Sequence, residues 1–174
     1  MTTIVGIDIG RVADHTAVVV LKDWNVTLIE QFPLGLEFKD ITGQLDKYCQ
    51  RADWAFVDQS GVGDPVVEHL RDTHGTKIIG IRITGGKTAR TGGRQWRVGK
   101  GMLMEYLMRA LIEKIKVTAP DPGRTQLREE LKDFEQYQGR TLKWGAKPGS
   151  HDDIVLALAL AVVGKVCGAD RGLL

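Results

Sequence analysis

TIVGIDIG at residues 3–10, TAVVVL at 16–21 and VTLIEQF at 26–32 decide how the rest of the chain is read. β-Branched and apolar residues dominate all three stretches, and turn-forming residues separate them, notably at 22–25, which predicts three consecutive strands. The period then changes. Phe38, Ile41, Leu45 and Tyr48 recur at the spacing of one helical face, so residues 37–48 are expected to be helical, and residues 54–57 form a short buried strand ending at Asp58. Asp64 followed by Pro65 reads as an N-cap with proline in the first helical position, and Gly75 closes that helix. Another strand covers residues 77–83. Residues 84–101 hold Gly85, Gly86, Gly92, Gly93 and Gly99 together with many cations, which predicts a long mobile loop.

Leu103, Leu107, Leu111 and Ile115 mark a further helix, and Leu127, Leu131 and Phe134 mark another after the break at 120–123. Residues 137–144, with Gly139 near the middle, read as a small hairpin. Ser150 starts a last helix, apolar on nearly every side and so expected to lie buried against the sheet. Three strands, then helix, strand, helix, strand and more helices call for an α/β fold: a mixed five-stranded sheet with helices on both faces and an auxiliary hairpin. A strand hairpin first and crossover helices afterwards is the ribonuclease H-like arrangement.

A chain of 174 residues, 43% of them hydrophobic, is expected to form one domain over 1–174. MTTIVGIDIG has none of the features of an export signal, so the cytoplasm is the expected location. The longest apolar run, 154–163, is half of what a bilayer-spanning helix requires, and no membrane partner is expected. Cys49 and Cys167 lack CxxC spacing and are expected to be reduced rather than zinc ligands.

The net charge of +2 conceals an asymmetry. No acid lies between Asp72 and Glu105, where Lys77, Arg82, Lys87, Arg90, Arg94, Arg97 and Lys100 fall, and a second acid-free stretch carries Arg140, Lys143 and Lys147. Acids concentrate in the first third. Basic flanks around an acidic centre suit a polyanion held by cations while carboxylates work on it, and the other reading is a solvated face.

Asp8, in Gly6-Ile7-Asp8-Ile9-Gly10, ends the first strand, and Asp58 ends the fourth in the same way. In this topology the two strands are neighbours, so both carboxylates project toward one point, with Asp153 opposite them in the first turn of the last helix. Such acids repel unless cations neutralise them, and hard oxygen ligands without a histidine cluster select Mg²⁺ or Mn²⁺. Two ions would activate a water and stabilise the leaving oxygen of a phosphodiester. Each residue also has a plainer reading. Gly6–Gly10 could be a strand and tight turn, or the phosphate-binding segment of an actin-like ATPase. Asp58 before Gln59-Ser60-Gly61 could start a turn, and Ser150-His151-Asp152-Asp153 fits a capping box. Gly86-Lys87-Thr88 is not a P-loop, because the position that requires the first glycine is Ile81.

Three motifs together resemble the nuclease domain of the large terminase subunit of tailed bacteriophages: Gly6–Gly10 followed by Asp14-His15-Thr16-Ala17; Phe56-Val57-Asp58; and Gly149-Ser150-His151-Asp152-Asp153 leading into Ile154-Val155-Leu156-Ala157-Leu158-Ala159. The resemblance covers essentially the whole chain. It implies a metal-dependent endonuclease acting on double-stranded DNA, with Asp8, Asp58 and Asp153 as catalytic metal ligands, Asp152 as a further ligand, and Asp152, Asp14 and His151 as auxiliary groups. Lys87, Arg90, Arg94, Arg97, Lys100, Arg140 and Lys143 are the expected DNA-binding cations. The implied partners are the packaging ATPase domain, the small terminase subunit and the portal. The ATPase itself is not in the chain, so translocation is not its expected task. The rivals are a RuvC-like junction resolvase, a lobe of an actin-like ATPase, and a non-catalytic nucleic-acid-binding module of the same fold.

Overall fold

The side-chain alternation of a strand sends neighbouring residues to opposite faces of a sheet, and along β1 (Thr3–Asp8) this sorts the whole molecule into layers. The computed structural model describes residues 1–10, 14–138 and 142–168 of the chain. In it β1 pairs antiparallel with β2 (Ala17–Lys22), which pairs antiparallel with β3 (Asn25–Gln31). On its other side β1 runs parallel to β4 (Trp54–Asp58), and β4 runs parallel to β5 (Ile78–Thr84). Val5, Ile7 and Ile9 face α1 (Phe38–Arg51) and α2 (Gly63–His74), in one core with Leu45, Val66, Val67 and Leu70. Ile4 faces the other core, built with α3 (Lys100–Glu113), α4 (Gly123–Asp133) and α5 (Asp153–Cys167).

The expected strands are therefore present, as a central run β3-β2-β1-β4-β5 with helices on both faces. The count of five is corrected: among the described residues the sheet has eight strands, in the order β6-β7-β5-β4-β1-β2-β3-β8. β6 (Ala89–Arg90) and β7 (Gln95–Gly99) arise from the segment expected to be a loop. Gln95-Trp96-Arg97-Val98 alternates strictly, and Trp96 and Val98 are fully buried while Arg97 is exposed. Period-two burial outweighs the glycines and cations around it. β8 (Lys116–Val117) adds a short parallel edge beside β3.

Two helix starts also differ from expectation. α2 is capped at Val62, and Asp64 lies inside its first turn, where it pairs with Arg82 at 3.0 Å. α5 begins at Asp153 rather than Ser150, whose hydroxyl donates to Asp133 Oδ2 at 3.0 Å. Gly75 does close α2, with a φ of 71°. The hairpin is present as β9 (Phe134–Gln138) paired antiparallel with β10 (Leu142–Ala146). Gly86-Lys87-Thr88 is an exposed turn leading into β6, not a helix start. Cys49 and Cys167 are buried in different cores, on opposite faces of the sheet. No described helix is long and apolar enough to cross a membrane.

α5 lies directly on β1. A Cβ built on Gly6 would sit 1.9 Å from the carbonyl oxygen of Ala157 and 2.8 Å from the nitrogen of Ala161, so main chain rests on main chain there. Phe56 makes a similar contact, 2.2 Å from a Cβ built on Gly164. Neither neighbour is the free end of a flexible side chain. Gly6→Ala is expected to push α5 off β1 and to lower stability by about 1–3 kcal/mol or more, as for other overpacked cores. Urea unfolding with an unchanged midpoint would show that the helix can shift without cost.

Candidate active site

The parity of β1 and β4 aims the two strand-end acids. Phe56 on β4 faces the core shared with α5, while Ala55 and Val57 face α1 and α2. Counting on by twos, Asp8 follows Ile4 and Gly6, and Asp58 follows Trp54 and Phe56, so both carboxylates lie on the α5 face. Ile7 pairs with Val57 in the parallel register, so Asp8 and Asp58 end their strands side by side.

α5 supplies the third acid by the same geometry. From Gly6 to Asp8 the strand advances about 6.6 Å, and from Ala157 back to Asp153 the helix retreats about 6 Å. The contact of Gly6 with Ala157 thus carries Asp153 to the level of Asp8. Asp8 and Asp153 are 6% and 5% exposed, which is rare for carboxylates. A cleft of about 240 Å³ is lined by Asp8, Asp14, Asp58, His151, Asp152 and Asp153, with Ser60 and Ser150.

Burial is the main reason that the carboxyl of Asp8 is held well above the usual carboxylate range, and the charges of Asp58, Asp153 and Asp152 add to it. Asp58 is raised by burial, opposed by hydrogen bonds from Ser60 and by the charge of Lys100. Its Oδ1 accepts the Ser60 N–H at 2.8 Å, so the turn reading of Asp58 and its placement in the cleft are both true. Asp153 is raised by burial, opposed chiefly by His151, whose Nδ1 lies 3.8 Å from Oδ2.

Each residue expected in the site can now be placed. Asp8, Asp58, Asp152, Asp153, Asp14 and His151 share the cleft, with Asp14 and His151 at its exposed rim. Lys100 differs from the other cations, because its Nζ pairs with Asp152 at 3.4 Å inside the acid cluster. Lys87, Arg90, Arg94 and Arg97 are exposed on the β6–β7 edge, and Lys143 is exposed on β10. Arg140 lies outside the described residues.

Glu130, Gln31 and His15 were not foreseen. Glu130 is 8% exposed, and its Oε2 accepts the N–H groups of Ile154 and Val155. Gln31 Nε2 stands 3.4 Å from both Glu130 Oε1 and Asp153 Oδ2. His15 sits edge-on to His151, with ring centroids 5.4 Å apart. A signal for Glu130 is in the sequence: it lies three residues after Leu127 and four before Phe134, on the buried stripe of its helix, where a carboxylate must find partners.

The donor set is all oxygen, anionic and crowded, which fits a hard divalent cation. Among the described residues, however, no group of three or more His, Cys, Asp or Glu stands as a ready-made ligand set. Asp8 and Asp58 stand side by side at their strand ends, and Asp152 and Asp153 line the same cleft from the start of α5.

No family model and no curated protein matches the chain. Solved structures do. The large terminase nuclease from thermophilic phage G20c with bound cobalt is 26% identical, over 92% of this chain and 80% of that one, with a TM-score of 0.69. The same nuclease with bound magnesium is also 26% identical, with a TM-score of 0.64 over the same shares of the two chains. The nuclease domain of the large terminase subunit of bacterial virus Sf6 is 12% identical, over 93% of this chain and 88% of that one, with a TM-score of 0.73; at that identity the likeness is one of fold.

The buried acids bind protons more tightly folded than unfolded. Burial pushes Glu130 from 4.5 up to about 7, and Asp8, Asp58 and Asp153 shift in the same direction from 3.8. Between the unfolded and folded values the native state holds extra protons, so metal-free stability is expected to fall as pH rises from 4.5 toward about 7. Asp8→Asn removes part of this repulsion, and its metal-free form should melt at or above wild type. Thermal melting in chelator across that range is the measurement; a much lower melting temperature for Asp8→Asn would make Asp8 a structural residue. In fold, and at 26% identity in sequence, the chain is similar over 92% of its length to the large terminase nuclease of phage G20c.

Proposed function

We propose that this chain, as one domain over 1–174, is an endonuclease that cuts double-stranded DNA with little sequence preference, by a two-metal mechanism with Mg²⁺ or Mn²⁺. One observation carries the reading: Asp8 and Asp58 end adjacent parallel strands on the face where α5 presents Asp153. Relatives of the same fold have been solved with bound cobalt and magnesium. Within this reading the partners are double-stranded DNA, the packaging ATPase domain, the small terminase subunit and the portal.

Asp8, Asp58 and Asp153 would hold the ions, with Asp152 as a further ligand. When bound, such ions lower the pKa of a water and stabilise the charge on the leaving oxygen. The chain's own residues set the stage for this. Ser60 N–H holds one oxygen of Asp58 and leaves the other for the cleft. Lys100, at the start of α3, offsets the charge of Asp152. His151, half exposed, stands beside Asp153 at the rim, its Nδ1 3.8 Å from Oδ2. Asp14 adds negative charge at that rim. Beyond it, Lys87, Arg90, Arg94 and Arg97 hold phosphates along the β6–β7 edge, Lys143 holds them along the hairpin, and Arg140 is a further phosphate-binding cation.

Cleavage of supercoiled plasmid with Mg²⁺, Mn²⁺, Ca²⁺ or chelator tests the class of enzyme, and comparison of linear with four-way-junction DNA separates it from a resolvase. Asp8→Asn, Asp58→Asn and Asp153→Asn are each expected to abolish cleavage, while Asp152→Asn and Asp14→Asn lower it by about 10–100-fold. Full activity in any of the first three removes that residue from the site.

Changing Arg90, Arg94 and Arg97 together to alanine should leave the fold intact, since all three side chains are exposed. It should also flatten the dependence of log K on log salt by about 2–3, near 0.9 for each phosphate that the variant no longer neutralises. An unchanged slope in a binding titration would leave the β6–β7 edge a merely solvated face.

A further inference from the structure

The last helix is not capped locally. Asp152, its N-cap residue, makes no side-chain cap, and the free N–H groups of Ile154 and Val155 donate instead to Glu130 Oε2 at 2.8 and 3.0 Å. A local Ser or Asp would satisfy such groups while staying partly solvated. Here a buried carboxylate from α4 does it, which costs far more to desolvate. Among the described residues its hydrogen-bond partners are those two N–H groups and the amide of Gln31, with no cation to offset its charge. What this arrangement adds over a local cap is a fixed position: it ties the first turn of α5 to α4. Gln31 extends the tie to β3 and, through the same Nε2, to Asp153 Oδ2. The segment before α5 is fastened to α4 as well, by Ser150 Oγ donating to Asp133 Oδ2 and Lys147 N–H donating to the Asp133 carbonyl, each at 3.0 Å.

We infer that Glu130 is a positioning residue of the nuclease site, which holds the Asp152–Asp153 turn at the height where those carboxylates meet Asp8 and Asp58. The inference rests on the nuclease reading above. Glu130 touches no substrate and acts through the main chain of Ile154 and Val155. Its effect therefore falls on how well the acids gather a cation, as for groups that orient metal ligands.

Four variants of the full chain test it. Glu130→Gln keeps an oxygen for the two N–H groups, Glu130→Asp draws the carboxylate back by one methylene, and Glu130→Leu removes the acceptor. Leu127→Ala, one turn away on the same buried face, weakens α4 while leaving the cap in place. Hydrogen exchange at the Ile154 and Val155 amides in chelator reports the tie without any activity. Mn²⁺ titration and the Mn²⁺ dependence of plasmid cleavage report its consequence.

Glu130→Asp and Glu130→Leu are expected to speed exchange at those two amides and to raise the half-saturating Mn²⁺ concentration by about 10–100-fold, while Glu130→Gln stays within about threefold of wild type. Leu127→Ala should lower the melting temperature without moving the Mn²⁺ midpoint. If Glu130→Leu fails to fold, Glu130→Asp against Glu130→Gln decides alone. A wild-type midpoint in Glu130→Asp, or an equal shift in Leu127→Ala, overturns the positioning role while the nuclease reading stands. A wild-type protein that neither binds Mn²⁺ nor cuts DNA overturns the nuclease reading and this inference with it, even if the amides respond.

Discussion

Everything in the site depends on one close approach, the main chain of α5 against β1 at Gly6. With Ala157 and Ala161 pressed on a residue that has no side chain, the helix sits nearer the sheet than any Cβ would allow. That contact fixes both the height and the rotation of α5. The height brings Asp153 level with Asp8, because four helical residues and two strand residues cover nearly the same distance. Gly164 repeats the device over Phe56, so the helix is seated at two points along its length and cannot pivot about one. Ala157 and Ala161, one turn apart on the same face of α5, follow from the same requirement, since only small side chains fit where a helix is held this close.

The gain in geometry has an electrostatic cost. A helix packed so tightly encloses the carboxylates at its N-terminus, and burial is the first cause of the raised pKa of Asp8, Asp58, Asp153 and Glu130 alike. The helix dipole favours negative charge at this end, yet it serves several acids at once. The structure answers with a sparse set of donors: Ser60 to Asp58, Lys100 to Asp152 with its charge also felt at Asp58, Gln31 between Glu130 and Asp153, and the first N–H groups of α5 to Glu130. Asp8 is left with neighbours that all raise its pKa, and it is the acid most dependent on an external cation.

Much of this was legible in the sequence because it is local and periodic. β-Branched and apolar runs bounded by turn residues placed β1 to β5, and Asp8 and Asp58 could be set at strand ends because each follows such a run. The α5 segment identified itself by being apolar all round. What was misread involved competing signals. Residues 84–101 carry enough glycine and charge to look like a loop, while Trp96 and Val98, the two that make β7 a strand, are spaced by a single arginine. The start of α5 was misplaced because Ser150 fits a capping box, whereas the real acceptor lies on another helix. Glu130 escaped notice for the same reason: no short spacing links it to Ile154, and only its position on the buried stripe of α4 hinted that it had distant work.

The two misreadings have a common physical origin, and it bears on how the site is built. Both concern groups that meet only after the sheet has formed: β7 needs β5 in place before its alternation has a partner, and Glu130 needs α5 seated on β1 before it has N–H groups to accept. The strand-end acids come from the first elements of the chain, and the acids of α5 from its end, with α4 supplying the tie. Bringing such distant segments into register costs chain entropy, and local signals cannot encode it. The chain places its least legible contacts, Gly6 against Ala157 and Glu130 against the start of α5, at the join where the two halves of the site meet. A small error there would separate the carboxylates of the cleft, whereas the exposed side chains of Lys87, Arg90, Arg94 and Arg97 can shift without disturbing the fold.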